Sequence, residues 1–166
     1  MSKDKRLHLT KYAQVNYGIT GTVELELARN FTRMIMIMTM AGADGEVAES
    51  ELQWYIDEQR LLFANPQELI EYARSIDLNK IDVDINKALD EHISLDKTLD
   101  FPSMLLYQAI KMSRADGEYH VKEKEAIHQV AQKIGIKSET VKALESLAEL
   151  EDVANGLRLS LVGPKV

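Results

Sequence analysis

Two stretches of the chain repeat one acidic pattern. Met40-Ala41-Gly42-Ala43-Asp44-Gly45-Glu46 and Met112-Ser113-Arg114-Ala115-Asp116-Gly117-Glu118 lie 72 residues apart and agree at five of seven positions. At the same offset Glu51 falls on Glu123, Tyr55 on Ile127 and Leu62 on Ile134. Asp-Gly followed at this distance by Glu is the second half of the EF-hand calcium loop. There a carboxylate precedes the sharp-turn glycine and a bidentate Glu closes the site. The first half is missing, because the early ligand positions would be Met40 and Gly42 in one copy and Met112 and Arg114 in the other. Two carboxylates per loop are too few for a calcium cage. Four suffice if the loops face each other. The candidate metal ligands are therefore Asp44, Glu51, Asp116 and Glu123, pooled around a shared divalent cation, and all-oxygen ligation points to Ca²⁺, Mg²⁺ or Mn²⁺ over Zn²⁺.

Each of these residues also has an ordinary structural reading. Asp44 and Asp116 follow helices, where bare carbonyls make the field negative, so a carboxylate there either turns the chain or wants a cation. Gly45 and Gly117 are expected at positive φ. Glu51 and Glu123 fall in the first turns of the next helices, where Glu commonly caps without any ligand. Duplication at one spacing weighs toward the cation.

Other chemistry has less support. There is no cysteine, which removes thiolate nucleophiles, disulfides and zinc-thiolate or iron–sulfur sites. His8, His92 and His128 are scattered, and His120 reads as a solvated loop residue, so zinc catalysis lacks ligands. Neither a phosphate-binding glycine loop nor a Gly-x-Ser-x-Gly nucleophile elbow occurs. Met34, Met36, Met38 and Met40 alternate, but on a helix residues two apart diverge, so they pack a core instead of holding a soft metal. Trp54 and Tyr55 likewise read as core or rim.

The elements that must position the loops are helical. Thr22 is read as the N-cap of a helix whose apolar residues run to Ala41, and the uniform apolarity of Met34 to Met40 marks it as the central buried helix. Glu49 to about Phe63 forms the next. Asn65-Pro66-Gln67-Glu68 is a start signature, with Asn65 as N-cap and Pro66 at the first helical position, for a helix ending near Ser75. Asp82 to Ile93 has helical spacing. Asp100 caps a helix that carries Pro102 in its first turn and runs to Arg114. Val121 to Ile134 stops at Gly135, and Ser138 caps a final helix that breaks near Asn155-Gly156. No alternating strand survives. The expected fold is all-α, a single domain of about seven helices with a duplicated helix-loop-helix unit related by a pseudo-two-fold.

Length and composition agree. At 166 residues one domain is expected, burying about 70% of its unfolded surface. Residues 1–21, with Lys3, Lys5, Arg6 and Lys11, read as a flexible or loosely docked N-terminal arm, and residues 22–166 as the helical domain with repeat loops near 42–51 and 114–123. Eleven glycines and prolines in all favour helices over a turn-rich sheet protein. The net charge of −7 repels phosphate backbones and excludes nucleic acid as a main partner. The longest uncharged apolar run, Met34 to Ala43, is half the roughly 20 residues a membrane helix needs. With no signal-like stretch after the charged start, a cytoplasmic protein is expected, not itself transmembrane.

Two copies of Ala-Asp-Gly-Glu, each after an apolar helix and each followed by Glu seven residues beyond the Asp, resemble the tellurite-resistance TerB-like family. The resemblance spans roughly Thr22 to Leu150. The second copy is the closer match, through Met112 to Glu118 and then Glu123, Ala131 and Gly135-Ile136. It implies an all-helical fold of two pseudo-symmetric halves, an acidic face proposed to bind metal, and a role in tellurite and chemical-stress responses. The implied partners are proteins of a stress-response complex, membrane-complex components among them. Together these readings give a non-enzymatic, divalent-cation-binding helical module. The alternatives are a protein-interaction scaffold using its acidic loops without metal and, last, a metal-dependent hydrolase.

Overall fold

The computed structural model describes residues 5–42, 46–77 and 101–165. In chain order these form strand β1 (Arg6–His8), helix α1 (Lys11–Tyr17), strand β2 (Thr22–Glu24) and helices α2 (Leu25–Gly42), α3 (Glu49–Leu62) and α4 (Gln67–Ser75). Then come α5 (Phe101–Ser113), α6 (Val121–Lys133) and α7 (Ser138–Val162). The fold is all-α, with one two-stranded antiparallel ribbon. The expected helix from Asp82 to Ile93 and the Asp100 cap lie outside the described residues. Among the described helices none is long and apolar enough to cross a membrane.

The methionine run is helical, and α2 is the axis of the molecule. Met34, Ile35, Met36, Ile37, Met38 and Met40 are all buried because α4, α5 and α6 pack around this helix. At about 1.5–3 kcal/mol for each large apolar side chain taken from water, burial overrides the period-2 look of the run. Buried Thr39 satisfies its hydroxyl within the helix, donating 2.9 Å to the Ile35 carbonyl. α5 contributes Leu105, Leu106, Ala109, Ile110 and Met112 to the same core, and α7 lies across α5 and α6.

Five expectations need correction. The N-terminal segment is docked. β1 pairs with β2, Leu7 opposite Val23, and Leu7 and Ala13 join Leu25, Ala28, Leu62, Phe63 and Leu69 in a second apolar cluster. The end of α3 holds this segment through backbone bonds from Thr10 N–H to Leu62 O (3.0 Å) and from Ala64 N–H to His8 O (2.8 Å). Thr22 therefore lies in a strand, and α2 starts at Leu25. Asn65 is not a cap: its Oδ1 accepts the His8 N–H at 2.8 Å and its Nδ2 donates to the Arg6 carbonyl at 3.0 Å. Pro66 takes the N-cap position instead. Lastly, α7 has Lys137 and not Ser138 at its N-cap, and it runs unbroken through Asn155-Gly156 to Val162. An interior Gly costs only about 1 kcal/mol, which a long cooperative helix absorbs.

Candidate functional site

The two acidic loops lead into helix starts built alike. Ala48 precedes α3 and His120 precedes α6, both in extended conformation. The third residue of each helix is a glutamate that reaches back. Glu51 Oε1 accepts the Ala48 N–H at 2.9 Å, and Glu123 Oε2 accepts the His120 N–H at 3.2 Å. This is one half of a capping box, and it satisfies a backbone donor that the helix leaves orphaned. Ahead of α6, Asp116 Oδ1 accepts the Glu118 N–H at 2.9 Å. Gly117 sits at φ 89°, the positive φ expected of it, in the turn between them. Asp44 and Gly45 lie outside the described residues.

Both glutamates are almost fully enclosed, with Glu51 2% and Glu123 4% exposed. Burial is the main reason the Glu51 carboxyl is pushed above the usual carboxylate range. The Glu123 and Asp116 carboxylates add to the push, while the Ala48 N–H and the His120 side chain oppose it. The Glu123 carboxyl is raised in the same way, by burial first and by Asp116, against His120. The charges on Glu123 and Asp116 are felt at Glu51. The structure thus brings Glu51, Asp116 and Glu123 into one electrostatic neighbourhood. His120, set aside in the sequence as a solvated loop residue, stands beside it, its Nε2 3.7 Å from Asp116 and 3.3 Å from Glu118.

One atom stands out. Glu51 Oε2 is buried and has no hydrogen-bond partner among the described residues, and a carboxylate oxygen left so is costly. A hard cation would satisfy it. Among the described residues, however, no three Asp, Glu or His side chains form a set able to hold a metal ion.

The comparisons with known proteins bear on this pair of loops. The family model for tellurite resistance protein TerB matches residues 31–146, both loops included. The chain belongs to the TerB family. A tellurite resistance protein from Nostoc punctiforme, known from its crystal structure, is similar over 93% of this chain and 91% of its own, with 26% identity and a TM-score of 0.67. Among curated proteins none matches. The TerB match stops short at both ends, leaving the N-terminal ribbon with α1, and the last four turns of α7, outside it.

Two further features of this TerB-family chain were not foreseen in its sequence. Glu58, 7% exposed, accepts from Tyr17 Oη at 2.7 Å and from Tyr12 Oη at 3.3 Å, and burial raises its carboxyl above the ordinary range. Nearby, Tyr107 donates 2.6 Å to Glu151 and meets the Tyr17 ring edge-on. Beside them lies a polar cleft of about 560 Å³, lined by Tyr12, Trp54, Lys111, Arg114, Glu151 and Asp152 among others. Asp152 binds both cations there, Lys111 at 3.1 Å and Arg114 at 2.8 Å. The only sequence signal was the helical spacing of Lys111 and Arg114. Their anion lies 38 to 41 residues away.

Proposed function

We propose that this chain is a non-enzymatic module of the tellurite-resistance and chemical-stress response that binds a divalent cation, Ca²⁺, Mg²⁺ or Mn²⁺, between its two acidic loops. Asp44, Glu51, Asp116 and Glu123 supply the ligands. The observation that carries the reading is Glu51 Oε2, buried and unpartnered beside two further carboxylates. A cation there cancels the repulsion and gives that oxygen a partner, and Asp44 completes the donor set. The module works in the cytoplasm with protein partners of a stress-response complex.

A second reading, an interaction scaffold that needs no metal, draws on a different observation. Glu51, Glu123 and Asp116 each already accept a backbone N–H, so the loops can be structural and present their charge to a basic partner.

Thermal melting of the chelator-stripped protein separates the two. A ligand that binds only the folded chain stabilises it by about 2.7 kcal/mol at 100 times its dissociation constant, which is several degrees for a chain of this size. At least one of the three ions is expected to raise the melting temperature, and replacing both Asp44 and Asp116 with Asn to abolish the rise. An unchanged melting temperature in millimolar Ca²⁺, Mg²⁺ and Mn²⁺ would leave the scaffold reading in its place.

A further inference from the structure

The last helix is apolar on two opposite faces. Toward the body, α7 buries Val141 and Ala148, sends Glu151 to Tyr107 and sends Asp152 to Lys111 and Arg114. From Asp152 onward every residue through Val162 is exposed. On the outer side Leu147 is 45% exposed, Leu150 66%, Leu157 58% and Leu161 64%. With Ala154 between them, these follow at intervals of three, four, three and four residues. That is the a/d spacing of a helix seam, carried on the side turned away from the protein's own core. Val153, 64% exposed, widens it. The seam lies beyond residue 146, where the TerB family model ends, so it is a feature of this chain outside that common core.

We infer that this outer face of α7 is a self-association surface, paired antiparallel with α7 of a second copy about a two-fold axis. Three observations single out that occupant. The spacing suits another helix. Flat surfaces need no three-four rhythm.

The alternation of side-chain size then chooses the direction, because a parallel pair would stack Ala154 on Ala154 and leave a gap in the seam. In the antiparallel register Leu150 layers over the partner's Leu161 and Ala154 over the partner's Leu157, so large and small residues alternate. Finally, two such faces would bury on the order of 1,000 Å², the lower end of specific interfaces. The pairing is expected to be reversible.

Sedimentation equilibrium of the full chain, from about 1 to about 100 µM, reads the outcome. The mass should climb from 18.8 kDa toward twice that value. Leu157→Glu with Leu161→Glu should hold it at the monomer value, with the circular dichroism unchanged because both side chains stand clear of the body. The absence of native cysteine allows the direction to be mapped by oxidation. Leu150→Cys and Leu161→Cys proteins should cross-link when mixed, and neither should do so alone. A wild type that stays monomeric throughout overturns the inference, as does a dimer that survives the two Glu substitutions. Cross-linking of Leu150→Cys by itself overturns the antiparallel arrangement. A monomer that co-sediments with phosphatidylcholine vesicles instead assigns the face to a membrane and also overturns it.

Discussion

Replacing Tyr17 with Phe tests whether the N-terminal segment is integral to the domain. Its hydroxyl donates to Glu58 Oε1 at 2.7 Å, and that carboxylate is 7% exposed. The remaining donor, Tyr12, is 3.3 Å from either oxygen, so it cannot take up the lost bond fully. A hydrogen bond to a buried charged group contributes about 1.5–3 kcal/mol. For a chain of this length each kcal/mol is worth roughly 2–4 °C, so the melting temperature should fall by about 3–12 °C at pH 7. The donors themselves do not titrate near neutrality, because burial and the Glu58 charge push Tyr12 up to about 12 and Tyr17 further.

The pH dependence has a definite sign. Burial holds the folded Glu58 carboxyl above its ordinary value and the Tyr17 bond lowers it. The folded chain therefore takes up this proton before the unfolded chain does, and the group's contribution to stability improves as pH falls through the folded value. Without Tyr17 the folded value rises further, so the variant gains more on acidification and its deficit narrows. Urea unfolding at several pH values between about 4 and 7 measures both effects. A loss below about 0.5 kcal/mol at pH 7, or a deficit that widens on acidification, would refute the reasoning.

Four other substitutions probe the acidic loops and the last helix. Glu51→Gln keeps an oxygen for the Ala48 N–H but removes the charge, so without cation it should be at least as stable as the wild type at pH 7 and gain less than the wild type on acidification. Glu51→Ala also loses the cap and should be less stable than Gln by about 1 kcal/mol, which denaturant melts of the three proteins would show. Gly117→Ala should cost about 1–2 kcal/mol from backbone strain alone, since φ is 89° and a Cβ would meet nothing within 4 Å. The same change at helical Gly156, equally free of neighbours, should instead stabilise by about 0.5–1 kcal/mol, and thermal melts of the pair read the contrast.

The sequence alone determined the helical class, the buried axis from Met34 to Met40, the positive-φ turn at Gly117 and the like placement of Glu51 and Glu123 at the starts of their helices. Each of these is a local signal, resting on apolar periodicity, a residue able to hold positive φ, or a repeated spacing. It could not show that residues 6–24 are docked. A three-residue strand is too short for periodicity, and its ladder and the Asn65 amide bonds join backbone groups whatever their side chains. The same blindness made Asn65 look like a cap and Asn155-Gly156 look like a break. Only the tertiary structure decided that Glu51 and Glu123 are buried beside Asp116 with one oxygen unpartnered. It alone enclosed Glu58 under two tyrosines and left one face of α7 without a cover among the described residues. Burial and charge proximity arise from packing between segments far apart in the chain. A carboxylate reads the same in sequence whether water or another carboxylate lies beside it.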